Sequence, residues 1–177
     1  MPSHSGRTRR QLFCDLAMAA AGLCAGQFAP EARAGAPIAD RILVIKSQRI
    51  LLLMRGQERL ARFPIALGAH PIGPKRRQGD DRTPEGLYRI DAFNPQSRFH
   101  RALHLSYPNL DDLLRARATG IVPGGNIEIH GLPPGFAHYD PPVFYKDWTD
   151  GCIAMSNPSI DALWTRVAIG TPVEIRA

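Results

Sequence analysis

Three short apolar runs follow one another closely between residues 41 and 66, and they restrict the fold more than anything else in the chain. Arg41-Ile42-Leu43-Val44-Ile45-Lys46 and Arg49-Ile50-Leu51-Leu52-Leu53-Met54 are each too brief for a helix with a broad buried face, and both are rich in Ile, Val and Leu. Such residues suit a half-buried pleated strand. Ser47-Gln48 between them predicts a hairpin, and Gly56-Gln57 leads into a third strand over 59–66. Three adjacent short strands must pair to bury their apolar faces, so the chain reads as mainly β.

Further along, residues 68–85 load Gly68, Pro71, Gly73, Pro74, Gly79 and Pro84 among charges. That is loop chemistry, and the stretch is longer than a plain connection needs. Strand character resumes over 86–91 and again over 102–106. Asp111 and Asp112 ahead of Leu113-Leu114-Arg115-Ala116-Arg117 predict a short helix, with acids at its positive end. Gly124-Gly125 turns the chain into Asn126-Ile127-Glu128-Ile129-His130, whose Ile127 and Ile129 share one face and leave His130 at the strand's end. A last helix is expected to start with Asn157 as cap and Pro158 at its first position, burying Ile160, Leu163, Trp164 and Val167. Val173-Glu174-Ile175 closes as a strand.

The N-terminal stretch is set apart by composition. Arg7, Arg9 and Arg10 precede an uncharged run over 16–29, and Ala32-x-Ala34 offers the small residues of a cleavage site. Residues 1–34 are therefore expected to be a signal peptide, and Thr8-Arg9-Arg10-Gln11-Leu12-Phe13 has the form of a twin-arginine signal. The run is too short and too rich in Ala and Gly for a stable transmembrane helix. Residues 35–177 would then form one domain, exported to the periplasm or cell envelope. Its 18 basic and 14 acidic side chains leave a balance of +4, which suits solubility as well as a polyanionic wall. No long basic stripe with interleaved aromatics points to nucleic acid.

Of three cysteines, Cys14 and Cys24 fall in the predicted signal, and Cys152 alone belongs to the mature domain. No intramolecular disulfide can then form. An unpaired thiol in an oxidising compartment suggests use, although free cysteines are also common as inert core packing. A thiol needs a basic or hydrogen-bonding partner to supply thiolate, and His130, 22 positions earlier, is the best candidate. Gly151 permits a tight backbone approach that exposes the sulfur, and the amides of Gly151 and Cys152 are expected to face a developing oxyanion. A competing metal reading would recruit His130, His138, Asp140 and Cys152, but their spacings match no short zinc pattern. His70, His100 and His104 read as solvated or structural.

Ile127-Glu128-Ile129-His130-Gly131, Thr149-Asp150-Gly151-Cys152 and Thr83-Pro84-Glu85-Gly86-Leu87-Tyr88 together resemble the L,D-transpeptidase (YkuD-domain) family, over roughly residues 40–176. Asp147-Trp148-Thr149-Asp150-Gly151-Cys152-Ile153-Ala154 looks like its ErfK/YafK subgroup. The resemblance implies a mainly β, mixed sandwich-like sheet with a few short helices. It also implies a Cys152 nucleophile, a His130 general base and acid oriented by the Gly131 carbonyl, and an oxyanion amide at Gly151. His138, Tyr139, Trp148, Thr149 and Asp150 are expected to contact substrate. Peptidoglycan stem peptides are the implied partners, with an amine on another stem or on a protein as acceptor; no metal or organic cofactor is implied, and a monomer is expected. Hydrolysis of the same acyl-enzyme, as an amidase or endopeptidase, is the alternative activity, and a non-catalytic wall-binding module a second. One departure stands out: many members carry Arg where this chain has Ala154.

Overall fold

The hairpin forms where the alternation of apolar residues predicts it. β1 (Arg41–Ile45) and β2 (Ile50–Arg55) pair antiparallel through a single 3-10 turn, and Arg49 takes a left-handed conformation to reverse the chain. β3 (Glu58–Pro64) pairs antiparallel with β2. The structure, a computed structural model, describes residues 39–136 and 146–177.

β4 (Gly86–Asn94), β5 (Ala102–Leu105), β6 (Glu128–His130), β7 (Ile153–Ala154) and β8 (Pro172–Arg176) complete one sheet in the order β3-β2-β1-β8-β4-β5-β6-β7. β1/β8 and β6/β7 are parallel and the other pairs antiparallel, so the sheet is mixed. β4 serves two layers. Its first half, Gly86 to Arg89, pairs with β8, and its second half, from Ile90, pairs with β5 across a register shift. Such a bulge bends a strand and lets it pass from one layer to the next. The outer edges then meet. Ala66, just beyond β3, exchanges both backbone hydrogen bonds with Ala154 in β7, each 2.9 Å, and Gly68 bridges Thr149.

Between the layers lie Ile42 and Val44 of β1, Leu51 and Leu53 of β2, Ile90, Leu103 and Leu105, Ile129, Ile153, and Val173 and Ile175 of β8. Each such aliphatic side chain contributes on the order of 1.5–3 kcal/mol by leaving water. α2 (Asn157–Trp164) adds Ile160 and Leu163, and Trp164 meets Phe93 edge to face at 4.7 Å. Its cap is Ser156, not Asn157: the Ser156 hydroxyl accepts from Ser159 N–H, which moves Pro158 to the second helical position. Asn157 is occupied elsewhere, its Oδ1 accepting from Leu132 N–H at 2.8 Å. α1 (Leu110–Thr119) is capped by Asn109 in a reciprocal pair with Asp112.

The loop over 68–85 has no regular element, yet it is firmly held. Lys46, buried in the hairpin turn, donates to the carbonyls of Gly73 and Thr83 and to Glu85, at 2.7–2.9 Å. Thr83 Oγ1 accepts from Gly68 N–H. The Thr83-Pro84-Glu85-Gly86 motif therefore pins a loop that walls the site described next.

Candidate active site

Parallel pairing of β6 and β7 sets Ile129 beside Ile153 and His130 beside Ala154. Both isoleucines point into the core, so alternation turns Glu128, His130 and Cys152 to the other face. Extending the register back one residue brings Cys152 beside Glu128, whose amide lies 3.4 Å from Sγ. His130 and Cys152 are then diagonal neighbours, with Cα atoms about 8 Å apart by sheet geometry.

The turn before Cys152 is built from the inside. Asp147 takes a two-pronged ion pair from Arg49, 2.7 Å at its shortest, and accepts from Leu67 N–H. Thr149 is 5% exposed, and its hydroxyl donates to Cys152 O at 2.7 Å and accepts from Gly151 N–H at 3.2 Å. Gly151 is required twice over: its φ is +129°, and a Cβ there would lie 2.6 Å from the Arg82 carbonyl.

His130 is 2% exposed. Its Nδ1 lies 2.7 Å from Gly131 O; a carbonyl only accepts, so Nδ1 carries the proton and Nε2 keeps its lone pair. Phe99 stacks on the imidazole at 4.4 Å, and Trp148 approaches edge-on at 5.9 Å. Burial lowers the proton affinity of the ring, the Gly131 bond opposes that, and the nearby Arg98 charge adds to it. The net lowering keeps His130 neutral at pH 7. Gly131 must lack a side chain, since a Cβ would meet Asn157 Oδ1 at 2.6 Å and Phe99 O at 2.8 Å.

Cys152 Sγ has Glu128 N–H as donor and Asn126 O, at 3.7 Å, as acceptor; the imidazole is not among its hydrogen-bond partners. Burial pushes the thiol up to about 11, helped by the charges of Glu128 and Asp150 and opposed by the Glu128 amide and Lys75. The resting pair is thus a neutral thiol and a neutral imidazole. Catalytic hydrogen bonds are often long or misaligned without substrate. The sulfur opens into a cleft of about 1190 Å³ whose lining includes Lys75, Asp81, Arg98, Glu128 and Asp150.

Residues 39–175 match the family model of the L,D-transpeptidase catalytic domain, YkuD. The chain belongs to that family. It is 29% identical over 134 residues to YafK of Escherichia coli strain K12, covering 73% of this chain and 47% of that protein. Among solved structures, the helical cell shape determining protein Pgp2 of Campylobacter jejuni superposes with a TM-score of 0.59 at 27% identity, over 81% of this chain and 52% of that one. An L,D-transpeptidase of Mycobacterium smegmatis shares the fold, with a TM-score of 0.51 at 15% identity over 78% of this chain and 59% of the other. The chain spans about half the length of the curated relatives it matches.

Within this L,D-transpeptidase domain, the residues expected at the site fall in different places. His138 and Tyr139 lie outside the described residues, as does Asp140 of the metal reading. Asp150 is exposed at the cleft. Trp148 packs beside His130, and its buried Nε1 has no hydrogen-bond partner among the described residues. Thr149 is not at the wall, because its hydroxyl is taken up inside the turn. The Gly151 N–H, expected to face an oxyanion, donates to Thr149 Oγ1 instead. The reason is local: a hydroxyl two residues ahead captures the amide as an ST turn does. Of the two expected amides, that leaves Cys152 N–H. His70, His100 and His104 pair with surface acids. Among the described residues no three His, Cys, Asp or Glu side chains converge as a metal site would. Sequence patterning does not single out Arg98 and Phe99, which lie in a polar connection without periodicity, or Asn126, which meets the sulfur through its backbone carbonyl. Ala154 is fully buried with its backbone bonded to Ala66, so a guanidinium carried at this position would start from a site out of water.

Proposed function

We propose that the chain is an exported cysteine acyltransferase that acts on peptidoglycan stem peptides. The observation that carries this reading is the pairing of Cys152 and His130 on one face of β6/β7, with Nδ1 of His130 held by Gly131 O and the sulfur open to a charged cleft. The cell-shape role for which Pgp2 is named supports a wall polymer as substrate.

The chemistry follows from the protonation states. Sγ–H transfers its proton to Nε2 of His130 as sulfur attacks the carbonyl of the stem's third residue, a diamino acid. The tetrahedral intermediate collapses when His130 returns that proton to the departing amine of D-alanine, which breaks the C–N bond and leaves a thioester on Cys152. An acceptor amine then attacks, His130 takes its proton, and the thiolate leaves and is reprotonated. Because neither group is charged at rest, substrate meets no ion pair that it must first disrupt.

Mature protein incubated with disaccharide-tetrapeptide is expected to release D-alanine, to form a dimer, and to add one carbapenem at Cys152 by intact mass. Cys152→Ala and His130→Ala should each lower turnover by a factor of about 10³ or more, and Cys152→Ala should abolish the adduct. Release of D-alanine with product heavier by one water and no dimer would make water the acceptor. No release and no adduct, with Cys152 reduced, would overturn the reading and favour a wall-binding role.

A further inference from the structure

Position 154 carries an alanine, so the positive charge of the cleft comes from other positions. Among the described residues, Lys75 and Arg98 are the cations that line it. Lys75 is committed: its side chain is 3% exposed and its ammonium lies 2.7 Å from Asp80 Oδ1. Asp80 in turn collects the amides of Arg76, Arg77 and Arg82, so this pair is part of the loop's own scaffold. Arg98 is exposed and has no ion-pair partner among the described residues.

Arg98 is nevertheless positioned. Its Cζ lies 4.7 Å from the centroid of Phe99, whose ring also stacks on His130 at 4.4 Å. Both groups are held against the same ring, so the guanidinium and the imidazole lie within about 9 Å of each other. An α-amino acid hydrogen-bonded through its nitrogen at one end and its carboxylate at the other spans about 8–9 Å. The amine belongs at His130, which protonates it as a leaving group and deprotonates it as an attacking one.

We propose that Arg98 binds the α-carboxylate of the amino acid whose amine leaves, or attacks, at Cys152. This rests on the thioester reading above and adds a substrate preference to it. The leaving and attacking amines share one subsite, since transfer is the reverse of acylation with a new amine. Donors ending in a free carboxylate, and acceptors with a carboxylate on the same carbon as the amine, are then favoured over amides and over simple alkylamines such as a lysine side chain.

The experiment compares a tetrapeptide donor ending in D-alanine with the same donor ending in D-alaninamide, using wild type, Arg98→Ala and Arg98→Lys. Wild type should favour the carboxylate donor by about 10- to 100-fold in kcat/KM, the size of a charge-assisted hydrogen bond. Arg98→Ala should lose that factor on the carboxylate donor, chiefly through KM, and match wild type on the amide; Arg98→Lys should recover part of it. Equal rates for Arg98→Ala and wild type on the carboxylate donor would overturn the assignment. So would an equal fall on both donors accompanied by slower alkylation of Cys152 by uncharged iodoacetamide, which would mark Arg98 as structural. Wild type inactive on both donors would remove the thioester reading and this proposal together.

Discussion

Cys152 sits where a thiol resists ionisation. With the group pushed up to about 11, only about one molecule in 10⁴ carries thiolate at pH 7, so the proposed reaction needs His130 to take the thiol proton. The sign is fixed by the two shifts. Raising pH deprotonates His130 below the ordinary histidine range and then, near 11, the free thiol. Iodoacetamide labelling of Cys152 should therefore rise about tenfold per pH unit from 7 to 10 and level off near 11; a plateau below pH 8 would show that the thiolate is stabilised at rest. Much at this scale is legible beforehand. The Ile127/Ile129 alternation puts His130 on the opposite face, and Gly151 marks a backbone that a side chain could not share. The destination of the Gly151 amide is not legible, because it depends on which way one hydroxyl turns.

At the scale of elements, boundaries are less readable than the elements themselves. Ser156 and Asn157 are both good caps, and sequence alone favours the one next to Pro158. The choice falls to Ser156 because Asn157 is claimed by Leu132 N–H, a contact across 25 positions that no local pattern contains. Ser156→Ala should lower stability by about 0.5–2 kcal/mol, measured by denaturant unfolding, with no change in the Cys152 alkylation rate. Asn157 instead ties α2 to the segment after His130, so its truncation should be felt at the site as well. The connection that carries Arg98 and Phe99 has neither alternation nor helical spacing. Its contribution becomes visible only when β5 and β6 set it over the imidazole.

For the molecule as a whole, strand membership is legible and strand order is not. Apolar runs identify β1, β2, β4 and β8, but nothing in them says that β8 lies between β1 and β4 or that β4 bends from one layer to the other. Those arrangements follow from pairings between residues far apart in the chain. The closure at Ala66 and Ala154 is similar: it joins residues 88 positions apart, and it leaves Ala154 0% exposed. Ala154→Arg should therefore destabilise the fold by about 1–3 kcal/mol or more through overpacking and a buried charge, read as a lower Tm. Greater activity at unchanged Tm would contradict this account. β8 also holds the two halves of the sheet together, pairing with β1 on one side and β4 on the other, so a copy broken off before residues 172–176 loses both ladders, and the bridges at Ala66 and Gly68 are left to hold the Cys152 turn against the hairpin by themselves.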